Sequence, residues 1–271
     1  MIFCRYSHLT STLASRGDKG AEHLTILLNP YIQFMVDIVE KSGGDIVKFI
    51  GDAILIAWEL KGSKEETVAS ACWGCMRLLE RLGDHQAGIP GEDEKFPLSM
   101  HIGLAVGETF DIHVGTDQRM EYFLAGKAVK NAVFLVNVAQ KKEMAVSGET
   151  FSILKKIEKE ENITIEDEGR SGGIIVKKLE FPADLVSYNF SARTVPESPP
   201  SKKVYQKYIN ESCIHKITSL GSTEFEKMML GNELRKVTVM FVKIEVQNVH
   251  TKESLSLLQS TIEVVQGVLT V

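Results

Sequence analysis

Between residues 21 and 41 the apolar positions Leu24, Leu27, Leu28, Tyr31, Met35 and Ile38 recur three or four apart, marking one buried helix face. Pro30 falls inside that pattern. With Asn29 ahead of it as a cap, the helix is expected to kink or restart there. Gly43-Gly44 ends the helical period. A short alternating run, Ile46 to Ile50, is followed by Gly51-Asp52 and by a second run, Ala53 to Trp58. Two such runs joined by a Gly-X pair predict a β-hairpin with a two-residue turn, because glycine supplies the positive φ. The turn puts the Asp52 carboxylate at the hairpin tip, unpaired and accessible, where it can hold a hard divalent cation. An aspartate in an ordinary turn explains the same spacing.

The remaining pattern is read in the same way. Residues 1–6 form the edge of a first strand, followed by a polar loop. Residues 64–82 form a second amphipathic helix, with Val68, Ala71, Cys72, Cys75, Leu78 and Leu79 inward. A charged loop, 83–97, leads to a strand from Leu98 to Val106. Gly103 and Gly107 near its end suggest close backbone approach or a bulge. Strands near 109–115 and 120–124, a helix at 127–139, a strand-helix pair at 144–156 and a hairpin turning near 169–173 carry the domain to about Phe181. This βαββαβ-like order, with helices on one face of local hairpins, predicts an α+β fold with a mainly antiparallel sheet. From Pro182 the pattern dissolves into VPESPPSKK, a stiff polar linker. Residues 204–230 carry some helical periodicity. A strand from Arg235 to Ile244 and an amphipathic helix from Ser254 to Val271 come last. One strand and one helix cannot bury a core, so this piece is expected to show an apolar face.

Composition narrows the function classes. The 271 residues are 44% hydrophobic and 25% charged, which is ordinary for a soluble globular chain with a proper core. A net charge of -5 gives no general nucleic-acid footprint. No apolar run approaches a membrane span, and the first residues lack a signal peptide's apolar core. The expected location is therefore the cytoplasm, with a membrane-peripheral or nuclear place open to a larger protein. The four cysteines (Cys4, Cys72, Cys75, Cys213) show no disulfide framework. Cys72 and Cys75 form a C-x-x-C inside a helix rather than at a strand-to-helix junction, so they read as structural. The sequons at Asn162, Asn189 and Asn210 carry no weight without a secretory signal.

GGDIVKFIGDAILIAW (43–58) resembles the segment of class III nucleotidyl cyclases that carries one of their two metal-binding aspartates. The likeness is greatest to the first catalytic half of the soluble, bicarbonate-responsive adenylyl cyclases. RGDKGAEHLTILLN (16–29) resembles the helix before that hairpin. HIGLAVGETF (101–110) and YFLAGKAV (122–129) resemble the later core strands and the helix start. ELRKVTVMFVKI (233–244) resembles the opening strand of the second half. The resemblance implies a ferredoxin-like βαββαβ core. A first catalytic domain, N-terminally eroded or truncated, would span 1–181, a linker 182–232, and the start of an incomplete second domain 233–271.

In this family ATP is cyclised by its own 3′-hydroxyl, with two Mg²⁺ ions held by two carboxylates. The resemblance assigns one carboxylate to Asp52. The other belongs on the first strand, in a pattern like F-V-D-I-S-G-F-T, against which this chain reads Phe3-Cys4-Arg5-Tyr6-Ser7-His8-Leu9-Thr10. Phe3, Ser7 and Thr10 agree, Arg5 stands at the aspartate, and His8 replaces a glycine. At most one Mg²⁺ ligand position is thus retained. Ser7, Leu9, Thr10 and Gly51 are the nucleotide-phosphate positions. A guanidinium repels a cation, and the exchange changes the local charge by two units. It can salt-bridge a phosphate instead, which leaves nucleotide binding without turnover open. Either the chain is a non-catalytic homologue, or residues 1–6 misrepresent the opening strand.

The family's Asn-x-x-x-Arg pair belongs to the second half; Lys130 and Phe134 stand at those positions here. A lysine and an arginine hold the activating bicarbonate in the soluble enzymes. Lys48 matches the lysine, although a solvent-facing strand lysine accounts for it equally, while Val133 stands at the arginine and offers no donor. Bicarbonate sensitivity is expected to be weak or lost. The implied partners are ATP and a second cyclase half, in the same chain or in trans. Two functions follow: a soluble-type adenylyl cyclase homologue inactive alone, or a pseudo-cyclase serving as a dimerisation or regulatory partner.

Overall fold

The apolar stripe that begins near Leu24 produces one uninterrupted helix, α2 (Asp18–Lys41), with Pro30 inside it. The expected kink or restart does not divide it. Leu27, Tyr31, Met35, Ile38 and Val39 are buried along one side of both halves, and that continuous packing outweighs one lost main-chain bond. The computed structural model describes residues 2–5, 7–60, 62–161, 163–181, 201–209, 213–214, 242–245 and 251–269.

Ahead of α2 lie β1 (Ile2–Arg5) and a short helix, α1 (Ser7–Ala14), where a polar loop was expected. Leu9 and Leu13 are buried, 4% and 0% exposed, and two anchors four residues apart suffice to hold this polar turn of helix. The hairpin follows as β2 (Asp45–Ile50) and β3 (Ala53–Ala57). Next comes α3 (Lys64–Leu82), opened by a capping box in which Ser63 and Glu66 each bond the other's main-chain N–H. Cys72 and Cys75 are fully buried on it. The segment 83–97 is not a plain loop. It contains β4 (Asp84–Gly88), which pairs with the start of β5 (Lys95–Leu104). Main-chain pairing carries this edge although Asp84, His85 and Gln86 give no apolar alternation.

Continuing along the chain are β6 (Thr109–Gly115), β7 (Met120–Gly126), α4 (Lys127–Val138), β8 (Met144–Val146), α5 (Gly148–Glu161), β9 (Thr164–Arg170) and β10 (Gly173–Glu180). Further along, the described helices are α6 (Lys202–Tyr208), inside the segment expected as linker, and α7 (Lys252–Leu269). The expected strand at Arg235–Ile244 lies outside the described residues up to 241, and Val242–Glu245 is irregular.

The chain divides into two compact units, Met1–Glu108 with Lys127–Thr194, and Thr109–Gly126 with Val195–Val271. In the first, one sheet runs β2-β3-β1-β5-β8-β10-β9, with β4 also on β5. Only the β5–β8 pair is parallel. The main core holds residues of α2, α3 and α5 with Ile54, Ile56, Met100, Ile102 and Val146. A smaller cluster lies under α4, where Leu135 and Ala139 meet Ala145 and Ile175. Ala145 and Ile175 are cross-strand partners, while their neighbours Met144, Val146 and Val176 belong to the main core. That is the period-two alternation of a sheet covered on both faces. In the second unit β6 and β7 form a two-stranded hairpin.

Candidate nucleotide site

The β2–β3 turn is Gly51-Asp52, as the sequence pattern predicts. Gly51 has φ 61, and no positive φ occurs at Asp52. Glycine at the first turn position with a negative φ at the second is the type II′ arrangement that suits strand twist. Asp52 is half-buried and engaged rather than unpaired and exposed, so the expectation of a free carboxylate is corrected. The turn does not project alone, because β1 lies along β3 with Phe3 opposite Ala53 and Ile2 opposite Ile54. Carried two residues further, that register sets the Arg5 main chain level with Gly51. On its other side Arg5 pairs with Ser99 of β5. The strand position that the resemblance gives to a metal-binding aspartate therefore lies beside the Asp52 turn.

A bulge in β2 decides where Lys48 points. Ile46 pairs with Ile56 but Lys48 pairs with Leu55, leaving Val47 as an extra residue. Uninterrupted alternation would bring Lys48 opposite Ile54, on the face that enters the main core. The bulge moves it to the face of Leu55, and Lys48 is exposed. Ile46 stays behind against the core. The pattern of the run Ile46 to Ile50 shows no such break, so sequence periodicity misses it.

The other expected residues scatter over two helices. Ser7 opens α1; Leu9 is a core side chain, leaving only its main-chain N–H for a ligand; Thr10 is exposed. Helix α4 sits directly on β5. A Cβ at Gly103 would collide with the main chain of Ala132, Val136 and Leu135, which confirms the close approach expected of that glycine. The outer side of α4 carries exposed Lys130, Val133 (42%) and Phe134 (54%). The structure thus brings Arg5, Gly51 and Asp52 to one end of neighbouring strands. It places Lys48 four residues up the hairpin, and Val133 on a different element with no polar donor.

These residues do not fit a two-metal centre. Arg5 occupies the strand position beside the turn, and among the described residues no group of three or more His, Cys, Asp or Glu side chains could hold a metal ion. Of the two positions to which the resemblance gives carboxylates, Asp52 alone carries one. A cation at position 5 supplies charge that suits phosphate oxygens and opposes Mg²⁺. Burial pushes the Cys75 thiol up to about 12 and raises Cys72 as well, so neither supplies a thiolate. No helix among the described residues is long and apolar enough to cross a membrane.

The comparisons with known proteins concern the fold and the family. Adenylate cyclase type 10 of Oryctolagus cuniculus is 26% identical over 262 residues, covering 87% of this chain and 15% of that protein. The Homo sapiens protein of the same name is 25% identical over 250 residues, with 84% and 15% covered. The chain thus spans about 15% of the length of these curated relatives. Among solved structures, the guanylate cyclase domain of RhGC from Catenaria anguillulae in complex with GTP superposes with a TM-score of 0.50 at 16% identity. It covers 66% of this chain and 94% of that one, a likeness of fold. The model of the adenylate and guanylate cyclase catalytic domain matches residues 3–178, well over half of the chain, so the chain belongs to the class III nucleotidyl cyclase family.

Proposed function

We propose that this chain is the first half of a soluble-type adenylyl cyclase pair, the family reaction being ATP to cyclic AMP and pyrophosphate. As described, it assembles with a second half without turning ATP over. The observation that carries this reading is Arg5 on β1 beside the Gly51-Asp52 turn. The retained turn supports descent from a working site, and an arginine at this strand position supports a pairing or regulatory role. Matches to adenylate cyclase type 10 over 84–87% of the chain favour ATP as the family substrate.

The test mixes the full chain with a complete second half of a related cyclase and measures cyclic AMP formed from Mg·ATP. The chain is expected to give none, and Arg5→Asp to restore measurable turnover, with His8→Gly added because the family has glycine where His8 stands in the first turn of α1. Substantial turnover by the Arg5 form would sink the reading and point to another carboxylate such as Asp18. If neither form turns over while the two halves co-elute, the pairing role stands and decay extends beyond one residue.

A further inference from the structure

Helices α1 and α2 meet at a tight elbow. The Arg16 N–H bonds the Leu13 carbonyl at 2.9 Å, closing α1, and Gly17 with φ 65 opens α2. A Cβ at Gly20 would overlap the Leu13 carbonyl, so the first turn of α2 lies against the last turn of α1. With eight residues, α1 is too short to hold its own direction, and it hangs from Gly17 with Leu9 and Leu13 in the core.

The segment between β4 and β5 crosses this elbow. It starts in a proline-glycine turn, Ile89-Pro90-Gly91-Glu92, where the Glu92 N–H bonds the Ile89 carbonyl at 3.0 Å and Gly91 takes φ 85. Ile89 and Phe96 enter the main core at its two ends, and Glu92, Asp93 and Glu94 are exposed between them. Two of these acids reach back to the helices. Arg16 Nη2 donates to both carboxylate oxygens of Glu94, at 2.8 and 2.9 Å, with its guanidinium 5.6 Å from the Phe96 ring centroid. Glu92 lies 3.8 Å from His23 Nε2, two turns further along. The guanidinium is thus fixed both by a carboxylate and by a ring.

The Arg16–Glu94 pair is too exposed, at 33% and 46%, to add much to global stability. What it can fix is direction. Arg16 stands between the two helices, immediately before the glycine about which α1 would turn, while both ends of the strap are set in the core. In turn α1 carries Ser7, Leu9 and Thr10, the positions that the family resemblance gives to nucleotide phosphate.

We propose that Arg16 is a positioning residue: anchored to Glu94 and Phe96 by the β4–β5 strap, it holds α1 at one angle about Gly17 and so sets where α1 presents its main chain to nucleotide phosphate. The clamp stands on this chain's own contacts; its link to phosphate rests on the nucleotide site of the proposed function.

Two measurements test it. In the full chain, Glu94→Gln should speed amide exchange of residues 11–14 at least fivefold and leave Met144–Val146, buried at 0%, unchanged. Reversing the charges, Arg16→Glu with Glu94→Arg, should bring residues 11–14 back to within twofold of the parent. Unchanged rates at 11–14, equal acceleration at both places, or no recovery in the reversed pair overturns the clamp. The second measurement mixes the full chain with a complete second half of a related cyclase and titrates a fluorescent ATP analogue. Its dissociation constant should rise at least fivefold in Glu94→Gln and recover in the reversed pair. A constant that does not move while α1 loosens overturns the link to phosphate. A mixture that binds no nucleotide in any form overturns that link and the nucleotide reading together, while the clamp still stands or falls on the first measurement.

Discussion

At the residue scale, Glu143 is the most strongly held charge among the described residues. Its carboxylate accepts from Arg170 at 2.6 and 3.1 Å, from Lys177 at 2.8 Å and from the Gln140 N–H at 2.9 Å. The Arg170 hydrogen bonds, with Lys177 behind them, hold its pKa at about 2 against the partial burial that would raise it. A depressed carboxylate contributes stability that is fully present above its unfolded value, about 4.3, and is lost as pH falls through its folded value. Glu143→Gln is therefore expected to cost about 2 kcal/mol at pH 7. In urea titrations the gap between parent and variant should close between pH 5 and pH 2; a gap that persists at pH 2 would mean packing rather than charge. Thiol labelling gives a second check. Of Cys72, Cys75 and Cys213, only Cys213 is exposed, so of these three it alone should react rapidly in the native chain.

At the element scale, two local features set the sheet's use of its side chains. Deleting Val47 removes the unpaired residue of the β2 bulge and leaves Lys48 opposite Leu55, so the ladder closes without turning the ammonium toward the core. The expected loss is that of one half-buried valine, about 1 kcal/mol, read from denaturation midpoints. Gly103→Ala forces α4 off β5 and should cost about 1–3 kcal/mol. The sequence made Gly103 legible because a glycine inside an apolar strand asks for an explanation. It made the Gly51-Asp52 turn legible because two alternating runs flank it. Helices α2 and α3 were plain from their period, and Pro30 misled because propensity is local while packing along α2 is not. Strand β4 and helix α1 were hidden because main-chain pairing and two leucine anchors leave little mark on composition. Gln259 and Gln266 of α7, which bond the main chain of Gly115 and Thr116, were missed for a related reason: an exposed-looking glutamine gains meaning only from the peptide group opposite it.

At the scale of the whole molecule, the second unit joins the β6–β7 hairpin to residues from Val195 onward. Besides α7, Tyr208 of α6 meets His113 Nδ1 at 2.9 Å and Lys207 pairs with Asp117 at 3.1 Å. Ending the chain at residue 200 should therefore speed amide exchange across 109–126 by tenfold or more. Exchange at Met144–Val146, buried at 0% in the other unit, should not change. Equal acceleration at both places would show that the two units unfold together. The place of β1 in the sheet has a further consequence, for synthesis. It lies between β3 and β5, so the residues of β1 take an interior slot that does not exist until residue 102 has been made. At about 5–20 residues per second, Ile2 and Phe3 wait roughly 5–20 s before their second neighbour emerges. Until then the strand carrying Arg5 can pair with β3 but not with β5, and a nascent chain stalled before β5 offers that open edge to chaperones instead of to the sheet.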